Sequence, residues 1–436
     1  MLVASVATDI NIRLQKLLRS DLNFHHEVSS ELSHNFHSFP AKFPPQLPRM
    51  FIRELTGTGD SVLDPMMGSG TTLVEACVGN RSGIGFDIDP LAVLLTQVKL
   101  TPLASAAQVA QRGLDIADRA EKSLLQNRIL VESDLKSRFD EKTREFVDYW
   151  FSDQTQMELT SLIREIEQVP DNRLKLFLQL TFSAIIITKS GGVSLAWDLA
   201  HTRPHKFIKG VAKTYRPAFG EFKKRILKNS ASLEHLNKLR TKASVEFGNA
   251  EKLSLKDNSI DLVFTSPPYP SNAIDYMRAH KFSLVWFGHK IDDLANLRSR
   301  YIGGEKTSGY EFLALPAKTT QIITRIAEVD VKKSDAVKRY YSEMKRVLAE
   351  SFRVLRPGKA AILVVGSSVM RGIDTQVHNC LAELGLEVGF DYAGVATRQI
   401  DRNRRMLPAS AIKAANSQIE TRMHEEFVVA FLKPTK

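Results

Sequence analysis

Ser266 heads the run Thr265-Ser266-Pro267-Pro268-Tyr269, which follows directly on the apolar residues 260–264. The two prolines fix an extended turn and remove two backbone donors, leaving carbonyl oxygens free to accept. A serine hydroxyl beside a proline carbonyl can take both hydrogens of an exocyclic amine. Such an amine is a poor nucleophile, because its lone pair is delocalised into the ring. Drawing both hydrogens onto acceptors favours a pyramidal nitrogen, whose lone pair can attack a sulfonium methyl. Tyr269 adds a face on which a base can stack, and a base in a duplex must be flipped out to arrive there. The catalytic candidates are Ser266, Pro267, Pro268 and Tyr269.

A second constellation lies some two hundred residues earlier, at Asp64-Pro65-Met66-Met67-Gly68-Ser69-Gly70. Glycines at such a turn let the backbone approach a ligand where any Cβ would stand in the way. Asp87, further along, is placed to accept hydrogen bonds from ribose hydroxyls, with Asp89 as the alternative. The glycine pair alone fits many nucleotide binders. No Gly-Lys-Ser/Thr follows it, so a phosphate-transfer loop is poorly supported.

These residues need a sheet to position them. Residues 61–63 read as a buried strand, 64–70 as its turn, 71–78 as a helix and 82–86 as the next strand, which is half of a doubly wound α/β unit. The rhythm breaks from 100 to about 242, where the pattern is mainly helical, with apolar spacing at Leu159, Leu162, Ile163 and Ile166. It resumes with strands at 245–247, 260–264 and 360–365 and a helix at 340–354 that stops at Arg356-Pro357-Gly358. After a helix at 375–384, residues 386–392 and 426–432 are expected to pair as an antiparallel edge. Upstream, 9–33 reads as helical, 36–45 as an extended proline-rich loop and 46–55 as a short amphipathic helix. The fold expected is α/β, with a doubly wound, mostly parallel sheet. It divides into an N-terminal helical segment (1–33), a first half (34–99), an inserted helical subdomain (100–243) and a second half (244–436).

The chain resembles the amino DNA methyltransferases. The residues 64–72 are similar to their cofactor motif, and 265–269 to their catalytic motif. Residues 36–45 look like the segment that closes over the methionine end of the cofactor, with Phe36 and with Lys42 in the usual lysine position. Gly248-Asn249-Ala250 resembles the motif near the adenine, although asparagine replaces the common acidic residue. Asn272-Ala273-Ile274-Asp275-Tyr276 and Arg356-Pro357-Gly358 look like later family motifs. The resemblance implies a class I, Rossmann-like fold and S-adenosyl-L-methionine as cofactor, with no metal. The implied cofactor residues are Phe36, Lys42, Asp64, Pro65, Gly68, Gly70, Thr71, Asp87, Asp89, Asn249 and Ala250. Serine at the head of the catalytic motif leans toward cytosine N4 over adenine N6. A transfer-RNA base methyltransferase and a catalytically silent DNA-binding regulator are the rival readings.

Charge agrees with a polyanionic partner. The formal net charge is +11, and residues 201–242 hold twelve lysines and arginines against two glutamates, interleaved with Phe207, Tyr215, Phe219 and Phe222. Such a run is the footprint of a nucleic-acid groove or a solvated helix face. Its place between the two motifs resembles that of a target-recognition region, which implies duplex-DNA contacts from Lys206, Lys209, Lys213, Arg216, Lys223, Lys224 and Arg225. Arg402, Arg404 and Arg405 form a second candidate strip. The resemblance leaves room for a cognate restriction endonuclease as a partner. Cys77 and Cys380 give neither a disulfide framework nor a zinc site. Neither follows a proline, as a cysteine nucleophile attacking cytosine C5 would, and both are expected to be buried. No apolar run reaches the length of a membrane span, and the expected location is cytoplasmic.

Overall fold

The computed structural model describes residues 2–25, 32–40, 42–189, 191–200, 204–208, 210–270, 275–400 and 425–435. Seven strands form the main sheet: β1 (Ser61–Asp64), β2 (Ser82–Asp87), β3 (Ala243–Phe247), β4 (Ile260–Thr265), β5 (Leu355–Gly366), β6 (Asp391–Gln399) and β7 (Glu425–Leu432). Their order is β6-β7-β5-β4-β1-β2-β3. All pairs are parallel except those of β7, which is antiparallel to both β5 and β6. The chain moves outward from β1 to β3, then crosses back to lay β4 on the other side of β1. Ligands in such sheets bind beyond the strand ends where this reversal occurs. The glycine turn follows β1 and the Ser-Pro-Pro-Tyr turn follows β4, so both lie at that point.

Helices cover both faces, and the central strand β4 and the second half of β5 are accordingly buried. The first part supplies α1 (Leu2–Leu18), α2 (Gln46–Leu55), α3 (Thr71–Val78) and α4 (Pro90–Leu100). Six helices follow before β3: α5 (Ala106–Gln126), α6 (Arg128–Ser137), α7 (Glu141–Trp150), α8 (Asp153–Glu167), α9 (Asn172–Ile186) and α10 (Ala218–Ala231). After β4 come α11 (Tyr276–Leu284), α12 (Ile291–Ser299), α13 (Ala317–Ala327), α14 (Val331–Val354) and α15 (Val377–Val388). Alternation along the strands sends Val62, Leu262, Phe264 and Ile362 toward Leu14 of α1 and Phe51 of α2. It sends Leu63, Val263, Leu363 and Val365 toward Tyr340 and Met344 of α14 and Leu381 of α15. A third core joins α8, α9 and α10 to α4 and α11, with Leu162, Phe177, Phe222, Leu95 and Trp286 in one cluster. The helical region 100–243 therefore packs directly on elements of both halves of the sheet domain.

Several expectations need correction. The helix expected over 9–33 ends at Leu18, because short polar side chains capture backbone groups beyond it: Ser20 Oγ donates to the Leu17 carbonyl at 2.6 Å and Asp21 accepts from Asn23 N at 2.9 Å. The expected antiparallel pairing with 426–432 is present, but residues 386–390 are not part of the edge strand. Helix α15 continues to Val388 and is stopped by Gly389 at φ +113°, so β6 starts at Asp391. Strand β5 starts at Leu355, before Arg356-Pro357-Gly358, with a bulge across from the Ile260/Leu262 register.

That bulge has a polar anchor. Asp261, buried on β4, accepts from Ser61 N at 3.0 Å and pairs with Arg356, while Lys359 lies at 3.4 Å. One carboxylate thus ties the start of β1 to the start of β5, across β4. Burial alone raises its pKa, but the Ser61 N–H and the two cations hold it below the ordinary value. A depressed carboxylate contributes stability that is present above the unfolded pKa of about 4 and lost as pH falls through the folded value. Asp261→Asn should therefore cost on the order of 1–3 kcal/mol at neutral pH and flatten the acid limb of a stability-versus-pH curve measured by urea unfolding.

Candidate active site

The ends of β1, β2, β3 and β4 open on a cavity of about 520 Å³ walled by Asp64–Ser69, Asp87, Asn249, Ser266 and Pro268. The glycine turn is held from several sides. Gly68 takes φ +47° and Gly70 φ +74°, and a Cβ on Gly70 would come within 2.6 Å of Thr96 Oγ1 and Cγ2. Gly68 N donates to Asp87 Oδ2 at 2.8 Å and its carbonyl accepts from Thr96 Oγ1 at 3.1 Å. Behind the turn, the fully buried Lys99 donates from Nζ to the Ser69 carbonyl at 2.5 Å.

Three further charged groups matter around this cavity, Asp64 buried and Asp87 and Lys42 half-buried. Asp64 Oδ1 accepts from Thr265 Oγ1 at 2.7 Å and from Met66 N at 3.2 Å, and burial pushes its pKa up to about 6 against those bonds. Asp87 accepts from the backbone N–H of Gly68 and of Asp89, the latter at 2.8 Å. Burial, aided by the charge of Asp89, raises it to about 7. Lys42 Nζ donates to the carbonyls of His34 at 2.8 Å and His37 at 3.2 Å. Burial, then the charges of Lys189 and Arg225, lower it to about 7.

Of the residues expected to hold a cofactor, Lys42, Asp64, Pro65, Gly68, Thr71, Asp87, Asp89, Asn249 and Ala250 line the cavity. Gly70 stands behind them as the N-cap of α3. Asp89 is largely committed elsewhere: Oδ1 caps α4 through Leu91 N at 2.8 Å, and Oδ2 lies 2.6 Å from His280 Nδ1. Phe36 points away from the cavity. Its ring meets Phe177 edge-on at 5.9 Å, and its carbonyl accepts from Arg225 and Asn229. The aromatic walls are instead Phe39, stacked on Tyr276 at 5.4 Å, and Phe43. The Phe-Pro pairs at 39–40 and 43–44 were the available signal, since proline bars a helix and holds each ring on an extended segment.

The catalytic run divides. Ser266 and Pro268 face the cavity, whereas Tyr269 is buried beside it, packed where a Cβ on Gly366 would lie 3.0 Å from its Cζ and Oη. The basic run divides too. Lys213 is buried, donating to the carbonyls of Ser194 and Ala196 at 2.7 and 2.8 Å. Arg225 reaches inward to Phe36, and Lys223 pairs with Asp118 and Glu121 of α5. Lys206, Arg216 and Lys224 remain at the surface. Lys209, Arg402, Arg404, Arg405 and Asn272-Ala273-Ile274 lie outside the described residues. Cys77 and Cys380 are both buried. Among the described residues no cluster of three His, Cys, Asp or Glu gathers as a metal site, and no helix is long and apolar enough to cross a membrane.

No sequence signal pointed to the cavity roof, residues 298–306. Arg339 of α14 donates to the carbonyls of Lys306 at 2.6 Å, Ser299 at 2.9 Å and Tyr301 at 3.3 Å. It also pairs with Glu343 at 2.7 Å, and Glu343 accepts from Gly303 N at 2.8 Å. Both side chains are buried, so the pair fixes the end of α12 and the loop that follows it.

A doubly wound sheet of this order, with a glycine turn and a Ser-Pro-Pro-Tyr turn meeting at its switch point, defines the class I methyltransferase fold. The family model described as DNA methylase matches residues 16–97. The Type II methyltransferase M.MvaI of Kocuria varians is 25% identical over 387 residues, spanning 83% of this chain and 83% of that protein. M.MjaII of Methanocaldococcus jannaschii is 22% identical over 64% of this chain and 67% of its own length. A solved S-adenosylmethionine-dependent methyltransferase from Methanosarcina mazei aligns over 88% of this chain and 97% of its own at 11% identity, with a TM-score of 0.32. The chain is thus similar, over most of its length, to Type II methyltransferases, and residues 16–97 match the DNA methylase model.

The roof makes a measurable claim. Arg339→Met should speed hydrogen exchange at the Gly303 amide by about tenfold or more, through loss of a buried charged network. Exchange in β4 and β5 should stay as it was.

Proposed function

We propose that this protein transfers a methyl group from S-adenosyl-L-methionine to an exocyclic amine of a flipped DNA base, with cytosine N4 favoured over adenine N6. One observation carries the reading: Ser266 shares a cavity wall with the glycine turn, so an amine acceptor and a cofactor cradle face the same space. The residues present suit that cofactor. Glycines at positive φ let the ligand lie against bare backbone, Asp87 offers a carboxylate to the ribose, and Asn249, on the same cavity wall, could donate to an adenine ring nitrogen. Phe39 and Phe43 give the ligand apolar walls, and Lys42 provides a donor near the methionine end.

When bound, the cofactor supplies an electrophilic methyl on a sulfonium. The chain's part is to present the amine. The Ser266 hydroxyl accepts one amine hydrogen and the Pro267 carbonyl the other, which frees the nitrogen lone pair for attack. Tyr269 is the ring on which the base would stack. Serine at 266 underlies the lean to cytosine. The Type II names of the relatives support a role in DNA modification alongside a cognate endonuclease.

Ser266→Ala should lower methyl incorporation into duplex DNA by roughly a hundredfold or more while cofactor affinity stays within about twofold. Retained turnover would remove Ser266 from the chemistry. Mass analysis of nucleosides from DNA treated with the wild-type protein would reveal N4-methylcytosine on this reading, and N6-methyladenine would reverse the base assignment. Asp87 accepts ribose hydrogens best as a carboxylate, a form that prevails above its pKa of about 7. Cofactor affinity should therefore rise as pH increases through 7, and Asp87→Asn should both weaken binding and flatten that dependence in calorimetric titrations.

A further inference from the structure

An exposed apolar feature of the helical region is a small hairpin, in which Phe207–Ile208 pairs antiparallel with Val211–Ala212. Phe207 is 57% exposed, Ile208 46% and Val211 62%. Paired residues share a face of a two-stranded ribbon. Phe207 and Ala212 thus occupy one face and Ile208 and Val211 the other, and each face leaves apolar side chains exposed. A two-stranded ribbon is marginal in water on its own, and apolar groups left bare on both faces mark a surface that something covers.

The ribbon is firmly rooted. Lys213, at its base, is the buried lysine that donates to the Ser194 and Ala196 carbonyls, and Trp197 N donates to the His205 carbonyl at 3.1 Å. Residues 194–197 follow the C-terminal end of α9. That end carries Ser183, whose Oγ lies 2.9 Å from His37 Nε2 in the segment bordering the cavity. The ribbon therefore projects from the part of the helical region that adjoins the site. Its flanks are basic: Lys206 lies over the Tyr149 ring at 4.5 Å, and Arg216 is exposed.

We infer that the ribbon formed by Phe207–Ile208 and Val211–Ala212 enters the major groove of the duplex and sets its apolar side chains against the base edges. This deepens the proposed function and rests on it. A major groove admits a two-stranded ribbon, and apolar side chains there meet thymine methyl groups. Flanking cations on such a ribbon face the phosphates on either side. A basic border in the most positively charged stretch of the chain suits a polyanionic partner.

The test compares two variants with the wild-type protein, on duplexes containing the site mapped from its own methylation. Phe207, Ile208 and Val211 all replaced by Ser should keep the melting temperature and cofactor affinity. Duplex affinity should fall about tenfold or more at every salt concentration, with the slope of log affinity against log salt unchanged. Lys206→Gln with Arg216→Gln should instead reduce that slope. Wild-type duplex affinity in the triple variant overturns the inference, as does a loss of self-association in that variant with DNA affinity intact. If the wild-type protein methylates no DNA, the proposed function itself fails, an outcome distinct from either.

Discussion

The hydrogen bond from Thr265 Oγ1 to Asp64 Oδ1 joins the last residue of β4 to the last residue of β1, two hundred residues apart in the chain. Strand register alone aligns Leu63 with Val263, but it leaves the turns beyond free to diverge. The buried bond fixes where both turns begin, and Thr72 adds a second tie from α3 to the Phe264 carbonyl at 3.4 Å. Ser266, the next residue along, then has little choice but to face the cavity opened by the glycine turn. The cost is a carboxylate deprived of water, visible in the rise of Asp64 to about 6. Water exclusion also strengthens each bond to it, so one polar group buried between two motifs sets their separation.

Positive groups serve a related purpose around the entrance. Lys42, Lys99 and Arg225 each donate to backbone carbonyls, of residues 34 and 37, 69 and 36 respectively. Burial lowers the pKa of each. Carbonyl acceptors suit such groups, since they remain good partners whether an amine is charged or neutral. The outcome is mechanical coupling. Arg225 on α10 grips the segment before Phe39, so the inserted helices hold the aromatic wall of the cavity and are more than an appendage beside it.

The sequence disclosed those features that depend on neighbours along the chain. Strand-turn-helix units around 61–78 and 260–269, and the polar residues at their ends, followed from apolar runs broken by glycine and proline. Asp64, Gly68, Asp87 and Ser266 converge because every one lies at the same end of a parallel strand. What depended on distant packing stayed hidden. Phe36 and Phe39 are equally good aromatics in one proline-rich loop, and only the presence of Phe177 decides which ring turns inward. Lys213 and Lys224 are indistinguishable in composition, yet one satisfies two carbonyls inside the fold and the other meets solvent. The roof at 298–306 owes its place to Arg339 and Glu343, which sit on a helix some forty residues later and belong to no recognisable pattern.

Tyr269 explains why the reversed strand matters. Because β7 runs against its neighbours, its first residues, not its last, arrive at the edge of the sheet where the turns lie. Glu426 pairs in register with Gly366 on β5 and with Arg398 on β6, and Arg398 forms an ion pair with Glu426. Cross-strand partners point to one face, so the bare backbone of Gly366 leaves beside Glu426 the space that the Tyr269 ring fills. A side chain at 366 would expel that ring, and a parallel β7 would bring Leu432 to this edge in place of a carboxylate. Glu426 is itself mostly shielded from solvent, with its pKa raised by burial against the pull of Arg398. The antiparallel edge thus supplies the polar floor on which the last residue of the catalytic turn rests, and it links that turn to the two strands farthest from the glycine loop.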